Sequence, residues 1–276
     1  MRLVLVPTPI GNLEDITLRA LQVLREAEVV ACEDTRHTGN LLKHFGIETP
    51  TTRLDQHTLQ RAKGLLEKYQ YVAYASDAGT PGISDPGAEL VKLAIALGWQ
   101  VEVLPGPTAF VPALVASGFP TARFVFEGFL PQKPKERRER IQSLFESGRT
   151  VVIYESPHRL KETLLALSSV FGETHPVAIA REISKMHQEI FRGSLAEALA
   201  HFTGPRGEFV LVLAPAAMNG EGSGLNAESL KLNADELVLV LRSRGLEGRE
   251  LVKALVEAGV PRNQAYQLAH GRKETQ

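Results

Sequence analysis

Along the first half of the chain, short apolar runs alternate with stretches whose apolar positions recur at helical spacing. Residues 3–6, 29–32, 72–75 and 101–104 read as strands, and 17–26, 38–45, 59–68, 88–97 and 108–117 as amphipathic helices. That alternation predicts an α/β fold with a mostly parallel sheet covered by helices on both faces. Around 120–135 the pattern gives way to aromatic, proline and lysine residues (Phe124, Phe126, Phe129, Pro131, Pro134), which reads as a linker or domain boundary. A second set follows: helix 135–147, strand 150–154, helix 158–171, strand 176–180, helix 195–201 and strand 209–213, a smaller mixed sheet. Residues 214–225, rich in Ala, Gly, Asn and Ser, read as a tether. Beyond it, 234–244, 250–258 and 262–270 predict three helices, with Gly245 and Gly259 as stops and Pro261 opening the third. The expected domains are therefore 1–118, 119–215 and a helical appendage over 226–276.

The predicted strands end in unusual loops. After the third comes Ser76-Asp-Ala-Gly-Thr-Pro-Gly-Ile-Ser-Asp-Pro-Gly87, where Gly79, Gly82 and Gly87 permit close backbone approach and Pro81 and Pro86 stiffen the turn. The first strand runs into Pro7-Thr-Pro-Ile-Gly-Asn12, with Asp15 and Thr17 as capping candidates for the next helix. The second ends in Glu33-Asp-Thr-Arg-His37, either an ion-paired cap or a reactive cluster. The fourth ends in Pro105-Gly-Pro-Thr-Ala109. In a parallel sheet these loops share one rim, where open α/β folds bind ligands. The loops carry neither G-x-G-x-x-G nor G-x-x-x-x-G-K-[ST], so a Rossmann dinucleotide site and P-loop phosphate transfer are disfavoured. A backbone-lined pocket of this kind suits a neutral or zwitterionic cofactor with an amino acid end and a nucleoside end.

Composition narrows the field. With 276 residues, 43% hydrophobic, 23% charged and a formal net charge of −1, no global field draws the chain to nucleic acid, so any RNA must meet a local patch. One cysteine, Cys32, rules out an internal disulfide and a cysteine-based zinc site and suits the cytoplasm. The eight histidines are scattered, so no metal is expected. No apolar run reaches the roughly 18 residues of a membrane span.

Thr8-Pro-Ile-Gly-Asn12, Glu33-Asp-Thr-Arg36, Ser76-Asp-Ala-Gly-Thr-Pro81 with Ser84-Asp-Pro-Gly87, and Pro105-Gly-Pro-Thr-Ala109 together resemble the tetrapyrrole-methylase superfamily. Tyr154-Glu-Ser-Pro-His-Arg159, Arg181-Glu-Ile-Ser-Lys185, Gly193-Ser194 and Gly207-Glu-Phe209 resemble its bacterial branch that acts on 16S ribosomal RNA. The likeness spans about residues 3–213, and less specifically the helix-turn-helix-like tail. It implies two α/β domains of the class III S-adenosylmethionine methyltransferase type, a homodimer, and methyl transfer to the ribose 2′-oxygen of a decoding-centre cytidine in the small ribosomal subunit. By motif, S-adenosylmethionine would meet Pro9, Gly11, Gly79, Thr80, Pro81, Ile83, Ser84, Thr108 and Ala109. Relatives often have Gly-Asp-Pro where this chain has Gly79-Thr80-Pro81, so Asp77 or Asp85 would supply the acidic contact.

Such a transfer needs alignment and a proton acceptor. Candidate catalytic groups are Glu33 and Asp34, Glu155 with His158, and Glu182 with Lys185. Arg36, Arg159 and Arg181 suit phosphate positioning, with domain-packing salt bridges as the alternative. Lys133, Lys135, Arg137 and Arg138 form a basic run that is either an RNA contact or a solvated helix face. In the tail, Arg262, Asn263, Gln264, Gln267, His270, Arg272 and Lys273 could contact RNA, or the helices could simply pack. Two rival readings are a tetrapyrrole or corrin-precursor methyltransferase and a non-catalytic RNA-binding assembly protein.

Overall fold

A computed structural model describes residues 1–55, 61–204, 206–216, 234–243 and 246–270. Met1–Met218 form one compact unit and Asn219–Gln276 a second. The first unit holds two five-stranded sheets. Strands β1 (Arg2–Val6), β2 (Val29–Cys32), β3 (Thr51–Arg53), β4 (Tyr71–Ala75) and β5 (Gln100–Val103) lie in the order β3-β2-β4-β1-β5, all parallel. Because side chains alternate across a strand, Leu3, Leu5, Val29, Ala31, Val72 and Tyr74 fill one face, and Val4, Val6, Val30, Ala73 and Ala75 the other. Helices α3 (Ala62–Lys68) and α4 (Gly87–Ala96) cover the first face; α1 (Leu18–Glu26) and α2 (Thr35–His44) cover the second. Thr17 caps α1 by accepting from the Ala20 amide, and Asp34 caps α2 by accepting from the Arg36 amide. Connections leaving the neighbouring strands β1 and β4 run to opposite sides of the sheet. That reversal opens a crevice beyond their carboxyl ends.

The second sheet, in order β6-β7-β10-β8-β9, comprises β6 (Phe124–Phe129), β7 (Thr150–Glu155), β8 (Pro176–Arg181), β9 (Glu189–Ser194) and β10 (Phe209–Leu213). Only β6 and β7 pair in parallel; the other pairs are antiparallel. One face packs on α6 (Pro134–Glu146), α7 (Leu160–Phe171) and α8 (Leu195–His201). The other receives α5 (Phe110–Ser117), whose Ala113 and Leu114 bury against Val152, Ala178, Val210 and Val212. Helix α5 leaves the first sheet and packs on the second, which fixes the loop before it to both.

Three strands depart from the sequence reading. The 120–135 segment is not a linker: Phe124–Phe129 is an edge strand, its pairing on β7 hidden in the sequence by a register shift between Phe126 and Gly128. Strand β3 is three residues long, and β9 is a half-exposed edge without an apolar face. In the second unit, helices Ala234–Ser243, Gly248–Glu257 and Arg262–His270 enclose a small core of Leu237, Leu251, Leu255, Val260 and Ala265. The expected tether beyond residue 216, Gly245, and Arg272 and Lys273 lie outside the described residues.

Candidate functional site

The loops after β1, β2, β4 and β5 meet at one rim of the first sheet and are joined there by backbone and side-chain hydrogen bonds, the Asp34 amide of the second loop donating to the Asp77 carboxylate of the third at 3.1 Å. Thr8 and Gly79 exchange both amide–carbonyl bonds at 2.9 Å, linking the first loop to the third. The Thr8 hydroxyl donates to the Ser76 carbonyl at 3.1 Å and the Ser76 hydroxyl to the Gly79 carbonyl at 2.9 Å. Thr80 donates its hydroxyl to the Pro107 carbonyl at 2.9 Å, linking the third loop to the fourth. Asp85 accepts the Gly82 amide on both oxygens at 2.9 Å and the Gly87 amide at 2.7 Å. Burial pushes its carboxyl up while those amides draw it down. Asp85 thus shapes the loop from within.

These loops wall a cavity of about 480 Å³ whose far side is the carboxyl end of β7 and the start of β10. Ile10, Glu33, Asp77, Gly79, Thr80, Ile83, Ser84, Thr108 and Ala109 line the near side; Phe129, Tyr154, Glu155, Ile183 and Glu208 are among the residues of the far side. Backbone strain concentrates at its edge. Ser84, Glu182 and Ser184 carry positive φ of 69°, 53° and 68°, rare for residues with a Cβ.

Of the expected cofactor contacts, Asp77, Gly79, Thr80, Ile83, Ser84, Thr108 and Ala109 face the cavity, whereas Pro9, Gly11 and Pro81 do not. Pro81 is buried behind the loop. Gly11 instead admits a crossing segment: a Cβ there would clash with Lys185 Cγ and stand 3.3 Å from the Ile183 carbonyl. Lys185 reaches Glu182 at 2.8 Å and Glu208 at 2.9 Å, and its ammonium holds Glu182 below the usual carboxylate range. The Ser184 hydroxyl bonds the Asp15 carboxylate, so residues 182–185 are tied to the first loop.

The catalytic candidates separate by environment. Asp34 is held by Arg36 on the surface, and His158 is exposed outside the lining. Glu155 is buried and occupied: it accepts the Ser156 amide at 2.7 Å and the Thr163 hydroxyl at 2.6 Å, with Arg159 at 3.7 Å. Glu33 is half-buried at the cavity wall. Burial and the neighbouring carboxylates Asp85 and Asp77 push its carboxyl up, against one backbone hydrogen bond from Asp77. Tyr154 and Glu208 lie within the sequence motifs, which give neither a role. Glu208 sits one residue before β10, and Tyr154 is a strand residue whose hydroxyl lies near Thr108, Ala109 and Phe110 at the start of α5.

The basic candidates also divide. Arg36, Lys133, Lys135 and Arg138 are exposed, the first three in surface pairs with Asp34, Glu136 and Glu139 that exchange readily for phosphate. Arg181 pairs with Glu189 at 3.4 Å. Arg137 corrects the expectation of an RNA contact, because it is only 4% exposed. It donates to the carbonyls of Pro131 at 3.0 Å and Gln132 at 2.7 Å and pairs with Glu162 at 2.9 Å. Arg159 likewise donates to the Leu130 carbonyl at 2.8 Å. Arg137→Ala is expected to lower stability by about 1–3 kcal/mol by stranding buried acceptors, read as a shifted urea midpoint with an unchanged slope.

Among the described lining residues all charged side chains are carboxylates: Glu33, Asp77, Asp85, Glu155 and Glu208. Such a lining repels polyphosphate and favours a ligand bearing positive charge or hydroxyl donors. Among the described residues no His, Cys, Asp or Glu group of three or more forms a metal site.

The family described as Tetrapyrrole (Corrin/Porphyrin) Methylases matches residues 2–199. A Synechocystis protein named ribosomal RNA small subunit methyltransferase I is 44% identical, covering 97% of this chain and 96% of its own. A Thermotoga maritima protein of the same name is 44% identical over 218 residues, 77% of this chain and 97% of its own. Among solved structures, Thermus thermophilus uroporphyrin-III C-methyltransferase complexed with S-adenosylhomocysteine superposes with a TM-score of 0.57 at 21% identity, covering 78% of this chain and 97% of that one.

Proposed function

This chain belongs to the tetrapyrrole methylase family, and on that premise we propose that it transfers a methyl group from S-adenosylmethionine to small-subunit ribosomal RNA, at the ribose 2′-hydroxyl of a cytidine. The observation that carries the reading is the rim of four clasped loops facing a cavity with an all-carboxylate charged lining. S-adenosylmethionine fits that cavity on two counts. Its sulfonium and ammonium groups match the carboxylates, and the cavity, at about 480 Å³, falls in the range of about 300–1,000 Å³ usual for ligand pockets. Gly79 at φ 81° leaves open the space between Ile10 and Pro107 that a side chain would fill. In this proposal Gly79, Thr80, Ile83 and Ser84, with Thr108 and Ala109, hold the cofactor, and Asp77 supplies the acidic contact.

When bound, the cofactor supplies an electrophilic methyl carbon on sulfur. Transfer to a ribose 2′-hydroxyl would leave the protein to align that oxygen and to take up its proton. Glu33 serves best, because its raised affinity for a proton suits general-base work and, among the described residues, no cation pairs with its carboxylate. Glu155, held by two hydrogen bonds and the nearby Arg159, fixes the start of α7 instead. The helical tail adds engagement of the subunit and no chemistry, in keeping with the Thermotoga relative's shorter match. A cytoplasmic homodimer belongs to the same proposal, with exposed Val103, Val111 and Val115 available to a partner copy.

The test is mass spectrometry of 16S RNA fragments from cells lacking the protein, before and after it is restored. The expected result is one cytidine whose ribose methylation disappears and returns. Unchanged 16S RNA, or transfer to a porphyrinoid instead, overturns the reading.

A further inference from the structure

The far wall of the cavity carries an exposed aromatic ring. Phe129 is 52% exposed at the mouth, whereas the lining residue Phe209 is 2% exposed and the Tyr154 ring is half-buried between Phe126 and Phe129. The position of Phe129 is built by a bulge. Strand β6 follows β7 as Phe126↔Val152 and then skips a residue, so that Gly128 meets Ile153 and Phe129 meets Tyr154. Without the skip, residue 128 would share the face of Phe126, Val152 and Tyr154; with it, Phe129 does. The extra residue, Glu127, is clamped by Arg140 through two hydrogen bonds of 2.6 Å. Gly128 adopts φ 71°, and a Cβ on it would touch Ser84 Oγ at 3.4 Å.

The segment after the ring is held as firmly, since Arg159 and Arg137 gather the carbonyls of Leu130, Pro131 and Gln132. The ring itself lies edge-on to Tyr154, centroids 5.8 Å apart, and Tyr154 is edge-on to Phe126 at 5.0 Å. Three arginines, a bulge and a file of rings therefore present one half-bare phenyl face at low entropic cost of ordering.

Electrostatics says what would cover it. The carboxylate lining keeps phosphates out of the cavity, so a nucleotide must enter by its nucleoside, with its backbone left at the rim. An extruded base leaves its stacking partners and needs an apolar face in return. We propose that Phe129 is the stacking seat for the base of the target nucleotide, a substrate-positioning residue that aligns the ribose with the methyl donor. The inference rests on the ribosomal RNA reading above and adds to it the element that seats the acceptor.

Phe129→Ala, Phe129→Leu and Phe129→Trp, assayed with small ribosomal subunits at saturating cofactor, test it. Loss of the ring should raise KM for the RNA by roughly 5- to 150-fold, the equivalent of about 1–3 kcal/mol of base–aromatic stacking. Leucine, which keeps bulk without a ring, should behave like alanine; tryptophan should stay within a few-fold of wild type. The cofactor Kd, read by calorimetry, should hold in all three. An unchanged KM in the alanine variant, a leucine variant as good as tryptophan, or a weakened cofactor Kd would each overturn the assignment, the last by giving the ring to the cofactor. A wild-type protein inactive on subunits would instead sink the parent reading, and the seat with it.

Discussion

Replacing Gly79 with valine is expected to weaken S-adenosylmethionine binding by at least about 100-fold, the equivalent of about 2.7 kcal/mol, while leaving the protein folded. Gly79 sits at φ 81°, where a β-branched residue is strained. A Cβ there would stand 3.3 Å from Ile10 Cγ2 and 3.6 Å from the Pro107 carbonyl, wedged between the first and fourth loops. Two further methyls either occupy the cavity and block the cofactor, or pry those loops apart and break the clasp made with Thr8. The strain is on the order of 1–2 kcal/mol against a usual stability of about 5–15 kcal/mol, so the two sheets persist. Calorimetry gives the affinity and circular dichroism the fold. Alanine at the same position should fall between glycine and valine. A valine variant that binds the cofactor as tightly as wild type would refute the assignment of these loops.

The elements that the sequence revealed are those whose chemistry is local. The strands β1, β2 and β4 are buried on both faces, so their apolar runs are uninterrupted, and each ends in a Gly/Pro or acidic loop that punctuates it. Parallel pairing then brings the loops to one rim without any long-range information beyond strand order. What stayed hidden depends on contacts distant in sequence. Strand β6 looks like a linker because its pattern is broken by the bulge at Glu127, and the bulge makes sense only beside β7 and Arg140. Arg137 belongs to a visibly basic run, yet its place on α6 turns it inward onto carbonyls five and six residues before it. Tyr154 opens a motif visible in the sequence, but its place in the cavity wall emerges only once α5 arrives from the other sheet beside its hydroxyl. The half of the cavity proposed to hold the cofactor was therefore legible in local motifs. The acceptor-facing half is a product of packing between the sheets.

Glu33→Gln is expected to lower kcat by roughly 100- to 10,000-fold, the usual worth of a positioned general base, with cofactor affinity changed only a few-fold. The same substitution should stabilise the fold at neutral pH. Burial first, then Asp85 and Asp77, raise the Glu33 carboxyl above its ordinary value. The folded protein therefore holds this proton more tightly than the unfolded chain does. Stability from that group is fully present below its unfolded pKa and is lost as pH rises through the raised folded value, so the ionised carboxylate is a strained state. Catalysis runs the opposite way: only the ionised form can take the 2′-hydroxyl proton, and the rate falls as acid titrates Glu33. Single-turnover methyl transfer to small subunits across pH should show an acidic limb displaced upward from an ordinary glutamate. That limb should be missing in the glutamine variant, whose thermal midpoint should match or exceed wild type near neutrality. A variant that keeps its rate within a few-fold, or keeps the acidic limb, would remove Glu33 from the chemistry. Because the cost in stability and the gain in rate come from the same three carboxylates, relieving the first without losing the second is impossible at this position.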